Sequence, residues 1–169
     1  ESAVAVTGIW QEGNEIVQRI RSVGGPAFSL TGMMGRAEGV IRVDTVRHEQ
    51  ATEGCIRTQA LEQIIIGIDN TDRLEEGATF ALAIALLDYL SELSGTFPIG
   101  HHIAMLWQDI PEKTAGNSCS AIELAVVPEK ADLIRKAAVR FIGDESVSDG
   151  WGIAIKTGFL IPDSLHQYG

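Results

Sequence analysis

Hydrophobic positions recur in two rhythms along this chain, and the densest cluster, Gln63-Ile64-Ile65-Ile66-Gly67-Ile68, is cut off by Asp69-Asn70-Thr71-Asp72. A run of β-branched residues closed by two acids, an amide and a hydroxyl predicts a buried strand that delivers polar side chains to its C-terminal mouth. Residues 76–93 carry Ala78, Phe80, Leu82, Ile84, Leu86, Leu87, Tyr89 and Leu90 on nearly every side of a helical wheel, which predicts a helix buried all round. Upstream, loose alternation around Val4, Val6 and Ile9 predicts a strand over 2–10. Ile16, Val17, Ile20 and Val23 at helical spacing predict an amphipathic helix of about three turns over 12–23, stopped at Gly24-Gly25-Pro26. The stretch 29–39, with Gly32, Gly35 and Gly39, matches no phosphate-loop spacing and reads as plain loop. Residues 39–46 alternate as a strand suited to a sheet edge, and 47–59 are too polar to assign.

Downstream, 94–100 predicts a turn and 101–107 a strand that sends His101 and His102 to opposite faces, one packed and one exposed. An alternating strand over 119–127, a helix over 128–141 closed at Gly143, an acidic turn over 144–150 and a last strand over 151–156 follow, before a tail containing Pro162. Spacing leaves Lys156 equally placed for solvent or for a cleft. Strands and helices interleaved after residue 63 predict an α+β fold: a mixed β-sheet with helices packed on it, two-layer, in a single compact unit. Residues 1–60 are either part of that domain or the remainder of a truncated upstream one, and 61–169 carry the ordered pattern.

Composition narrows the class. With 169 residues, 45% hydrophobic and 21% charged, the chain can bury a real core. Its apolar stretches are interrupted well short of the roughly 20 residues a bilayer span needs, so no membrane helix is expected. The sequence starts at Glu1 without a signal-peptide pattern and reads as a cytoplasmic fragment with something missing upstream. A formal charge of −10, from 23 acids against 13 bases, argues against nucleic acid being held by this chain alone. Cys55 and Cys119 stand far apart outside any zinc-type spacing, the pattern of two free thiols in a reducing cytosol. The apolar share permits a homo-oligomer interface without locating one.

Candidate chemistry gathers at two places. Asp69 and Asp72 close the isoleucine strand, and Gly77 and Thr79 lie where the next helix begins, so that two carboxylates and a helix N-terminus share one mouth. A phosphate and a Mg²⁺ fit together there; the same acids serve equally as ordinary helix caps. The second place is the loop 109–118, where Lys113, Thr114, Gly116 and Asn117 supply an ammonium, a hydroxyl, unshielded backbone and an amide, the groups that bind phosphate and also those of many surface turns.

Taken together, Ile66-Gly67-Ile68-Asp69-Asn70-Thr71-Asp72 with Gly77-Ala78-Thr79, and Ile110-Pro111-Glu112-Lys113-Thr114-Ala115-Gly116-Asn117, resemble the paired motifs I-G-I-D-D-T-D and I-P-x-K-T-R-G-N of the archaeal tRNA(Ile)-2-agmatinylcytidine synthase family. Within that group the two runs look closest to the methanogenesis marker protein 11 family, which suggests a methanogenic archaeon. The resemblance covers 63 to about 155. It implies an ATP-dependent, kinase-like domain in which Asp69 and Asp72 hold Mg²⁺ and nucleotide phosphate. Thr79 falls at a threonine that becomes phosphorylated, and Lys113, Thr114, Gly116 and Asn117 line the ATP-phosphate pocket, with Gly77 beside them.

Three departures bear on what carries over. Asn70 stands where the family has its second Asp, removing one anionic ligand. Ala115 stands where the family has Arg, removing a bidentate phosphate contact. The chain also lacks zinc-ribbon cysteines, so the tRNA substrate does not carry over. The implied partners are a nucleotide and an unidentified acceptor; the alternative is a non-catalytic nucleotide-binding or protein-interaction module.

Overall fold

The computed structural model describes residues 3–23, 32–111, 113–114, 116–161 and 163, and the chain divides into two compact units, Glu1–Ala60 and Leu61–Gly169. The α+β class holds. Among the described residues every strand pair is antiparallel, in place of a mixed sheet, and two units stand where one is expected.

In the first unit β1 (Val4–Glu12), β2 (Glu15–Val23), β3 (Val40–Arg47) and β4 (Ala51–Gln59) form a sheet in the order β1-β2-β4-β3. The helix expected over 12–23 is therefore a strand. Its apolar residues Ile16, Val17, Ile20 and Val23 are all β-branched, which restricts them in a helix and suits them to a pleated surface. Gly13, at φ 59, takes the first central position of a two-residue hairpin joining Glu12 to Glu15, where a side chain would be strained. Val17 and Ile20 are both buried and, three residues apart, lie on opposite faces of β2, which imitates helical spacing.

β3 is an edge strand, as its alternation predicts. The unassigned polar stretch supplies β4, an inner strand paired on both sides. Its Arg57 Nη1 meets Glu12 at 2.8 Å and Glu15 at 3.1 Å, so its charge is answered across the sheet rather than by solvent alone. Residues 32–34 make one helical turn within the glycine-rich connection. The run Gly24-Gly25-Pro26, residues 29–31, Ala115 and Pro162 lie outside the described residues.

The second unit runs β5 (Glu62–Asp69), α1 (Thr79–Ser91), β6 (Thr96–Met105), β7 (Ser118–Val126), a 3-10 turn (Pro128–Lys130) leading into α2 (Ala131–Glu145), and β8 (Gly152–Thr157). The sheet order is β6-β7-β5-β8, the interleaved βαββαβ arrangement of ferredoxin-like units. Each helical crossover skips one strand, and the strand that fills the gap belongs to the other crossover and runs the opposite way; that is why no parallel pair forms. Ile64, Ile66 and Ile68 of β5 alternate inward with Ile122, Leu124 and Val126 of β7 and meet Ala83, Leu86 and Leu90 of α1 and Ile134, Ala138 and Ile142 of α2.

Two boundaries and one burial pattern differ from expectation. β6 begins at Thr96, inside the expected turn. α2 runs through Gly143 to Glu145 and is closed at Ser146. Helix α1 is not buried all round: Thr79, Ala83, Leu86 and Leu90 face the core, whereas Phe80, Ile84 and Tyr89 are 51%, 42% and 38% exposed. A helix laid on one sheet face beside one neighbour covers only about half its circumference, whatever its composition. No helix among the described residues is long and apolar enough to cross a membrane. Cys55 and Cys119 are both free and half-buried.

The other sheet face carries Gln63, Glu123, His102 and Lys156. His102 is exposed and His101 half-buried on the opposite face. Lys156 donates to the carbonyl of Gly158. Glu123 accepts a hydrogen bond from Gln63 and one from His102 Nε2 at 3.1 Å; because a carboxylate only accepts, the imidazole proton sits on Nε2. The Gln63 bond first, then His102, holds the Glu123 carboxyl below the ordinary carboxylate range. A depressed folded-state pKa stabilises the fold above the unfolded value and is lost as pH falls through the folded one. Urea unfolding across an acid series is therefore expected to show wild type losing its advantage over Glu123→Gln as pH falls below the ordinary carboxylate range. Parallel profiles for the two proteins would exclude this role for Glu123.

Candidate functional site

At the C-terminal end of β5 the chain makes a short, tightly held excursion before entering α1. Asp69 accepts the backbone N–H of Asn70 at 2.9 Å, and Asn70 sits at φ 55, a left-handed conformation that asparagine tolerates better than most residues. Thr71 is buried, and its carbonyl accepts Val147 N at 3.2 Å and Ser146 Oγ at 3.2 Å, so the end of α2 anchors this segment. Arg73 and Glu76 exchange backbone bonds of 2.8 and 3.3 Å around a two-residue turn. Gly77, at φ 84, then swings the chain into α1.

Helix α1 starts with its amides uncovered. Its cap residue Ala78 makes no side-chain capping bond, and its first turn holds no acid. The alternative in which Asp69 or Asp72 caps the helix is thus not what these residues do. The orphan N–H groups and the positive end of the helix dipole face the same space as the two carboxylates. Thr79 is buried, and its hydroxyl accepts a 3.0 Å bond from Thr71 Oγ1.

Opposite them lies the loop between β6 and β7. Its neck is closed by Gln108, whose Nε2 donates to Leu106 O at 2.9 Å and Asn117 O at 2.7 Å while its Oε1 accepts Asn117 N at 3.3 Å. Asn117 Nδ2 adds a 2.7 Å bond to Trp107 O, and Lys113 Nζ reaches back to Gln108 O at 2.5 Å. An ammonium has three donors, so this contact positions Lys113 without exhausting it. Thr114 Oγ1 approaches Asp72 Oδ2 at 3.4 Å, long for a hydroxyl bond but enough to bring the two loops together.

Between these segments is a cavity of about 440 Å³. Asp69, Asp72, Gly77, Thr79, Lys113, Thr114, Gly116 and Asn117, the candidate residues of the two stretches, all line it. Asn70, Ala78, Phe80, Ile110 and Ser118 complete the wall. Gln108 and Ser146 escape the sequence reading because they act through hydrogen bonds to backbone, Gln108 across the neck of its own loop and Ser146 to the distant Thr71 carbonyl. Only the proximity of Gln108 to the Lys113 motif hinted at it.

The donor set fits a hard cation of limited demands. Among the described residues no group of three His, Cys, Asp or Glu side chains converges, so no all-protein metal cage exists there. Two carboxylates on one cavity match Mg²⁺, which is held by one or two carboxylates together with substrate phosphates. Chemically the arrangement is an acidic pair facing a lysine, a hydroxyl and a free helix N-terminus, the components of a metal-assisted polyphosphate site.

The fold and cavity together define a ferredoxin-like α+β unit with an anion- and cation-capable cleft at one end of its sheet. No family model matches the chain. It is 34% identical over 112 residues to an uncharacterised protein of Methanocaldococcus jannaschii, the match covering 66% of this chain and 37% of that protein. The chain thus spans little more than a third of that relative's length. Among solved structures it is similar to the crystal structure of TiaS in complex with an isoleucine tRNA and ATP, with TM-score 0.49 and 21% identity, over 61% of this chain and 24% of the other.

Proposed function

We propose that the unit Leu61–Gly169 binds Mg-ATP in this cavity and activates an unidentified acceptor by phosphoryl or nucleotidyl transfer. The observation that carries the reading is the meeting of Asp69 and Asp72, the uncapped start of α1 and the Lys113–Asn117 segment around one space. The motif resemblance to the agmatinylcytidine synthase group, and within it to the methanogenesis marker protein 11 family, supports the same conclusion. In this reading Asp69 and Asp72 hold the metal, and Lys113, Thr114, Gly116 and Asn117 hold phosphate oxygens alongside the amides of Gly77 and Thr79. The bound cation spreads the negative charge of the triphosphate. Lys113 offers a phosphate oxygen the donors that its contact with Gln108 O leaves free, and the Gln108 bonds keep the loop in place.

Calorimetric titration of the whole chain with ATP tests this. Binding is expected to require Mg²⁺ and to weaken at least about tenfold, ~1.4 kcal/mol, in Asp72→Asn. Absence of heat at millimolar ATP with folded protein would end the nucleotide reading.

The presence of Asn70 in the cavity wall in place of a third carboxylate favours a second reading, a module that binds nucleotide without turning it over. ATP cleavage that disappears in both Asp69→Ala and Lys113→Ala separates the enzyme from the module; binding without cleavage in wild type leaves the module.

A further inference from the structure

Away from the cavity, the outer sides of α1 and α2 form a second feature that the nucleotide reading leaves unused. A groove of about 470 Å³ runs between the helices, walled by Tyr89 and Leu93 of the α1 side and Leu133 and Ala137 of α2, with Lys136 and Arg140 on its rim. Tyr89 stacks on Phe141 with ring centroids 4.9 Å apart, which fixes one wall. Leu133 is 53% exposed, so the groove presents apolar surface to water.

The two flanks carry opposite charge. Lys136 and Arg140 are one helical turn apart on α2 and exposed, and Asp88 of α1 and Glu92 at its C-cap are one turn apart and exposed. None of the four makes an ion pair among the described residues. Neighbouring flanks of opposite sign that do not pair with each other, on either side of an apolar strip, form a surface complementary to itself.

We propose that this face docks a second copy of the chain, with a two-fold axis running along the groove. Rotation about that axis lays the partner's α1 over this chain's α2 and the reverse, so each acidic flank meets a basic one and the apolar strips cover each other. A two-fold axis across the helices would stack α1 on α1 and oppose like charges, which disfavours it. A face built this way uses both exposed cations of α2, Arg135 being held by Asp132 and Glu62, in a chain whose net charge of −10 otherwise drives copies apart.

Sedimentation velocity of the full chain over a concentration series tests the proposal, at salt near 150 mM so that long-range repulsion is screened within about 8 Å. Wild type is expected to dimerise reversibly. Asp88→Lys/Glu92→Lys and Lys136→Glu/Arg140→Glu are each expected to weaken the dimer at least about tenfold. An equimolar mixture of the two is expected to restore a dimer containing one of each, because every flank again meets its opposite. Leu133→Glu, at an exposed position, breaks the apolar strip independently should a charge-reversed protein fail to fold by circular dichroism. A wild type that stays monomeric at every concentration overturns the proposal, whether the face then serves another protein or none. So do charge-reversed variants that dimerise as wild type does, and so does a mixture that fails to pair.

Discussion

Gly77→Ala is expected to destabilise the Leu61–Gly169 unit by about 2–3 kcal/mol and to abolish ligand heat at the cavity in the same stroke. Gly77 sits at φ 84, where a residue with a Cβ carries about 1–2 kcal/mol of strain. The added Cβ would also lie 2.9 Å from Val147 Cγ2 and 3.3 Å from Asp72 Cα. Valine is stiff and the second atom is backbone, so neither gives way cheaply. Relief must come from moving the Asp72 segment, which is a wall of the cavity. Gly116→Ala is the control, since a Cβ there finds only Gln108 Oε1 at 3.8 Å; its stability is expected to stay within about 0.5 kcal/mol of wild type. Urea unfolding of both variants measures the difference, and equal stabilities would show that the turn at 77 tolerates a side chain.

Ile66→Ala is expected to cost about 2–5 kcal/mol, the range for a fully buried aliphatic side chain cut back to a methyl. Ile66 is 0% exposed, lies at the centre of β5, and pairs with Ile122 of β7 on one side and Ile155 of β8 on the other. Its loss leaves a hole bounded by both neighbours and by the helices, which cannot close without moving an inner strand. Ile65→Ala, on the half-buried opposite face, is expected to cost clearly less. An Ile65 variant as unstable as the Ile66 one would mean that the core lies on the wrong side of the sheet.

These two positions mark how far the chain can be read without its fold. The Ile64–Asp69 strand and the helix after it were legible because a run of isoleucines ended by acids, followed by a long apolar segment, leaves few alternatives. Spacing alone leaves Asp69, Asp72, Gly77 and Thr79 and the Lys113–Asn117 loop as two separate places; only the motif resemblance implies the one cavity in which they meet. What failed to read were β2 and β4. Ile16, Val17, Ile20 and Val23 satisfy helical spacing and strand propensity at once, and β4 shows no apolar rhythm because pairing on both sides, with Arg57 answered by Glu12 and Glu15, holds it in the sheet. Hydrogen-bond partners dozens of residues away settle such cases, and local pattern does not contain them.

The sequence by itself determined the local chemistry: which stretches are apolar enough to form a core, where the chain must turn, and which side chains can meet a phosphate or a cation. Tertiary structure decided the rest. It interleaved two crossovers into an antiparallel sheet, left one side of α1 in water although apolar residues fall on nearly every side of it, and set Gln108 and Ser146 to hold loops that the sequence shows only as polar. The physical reason is common to all three. Composition fixes what a residue gains from being covered, whereas which residues are covered, and by what, depends on segments that meet only after the chain has folded.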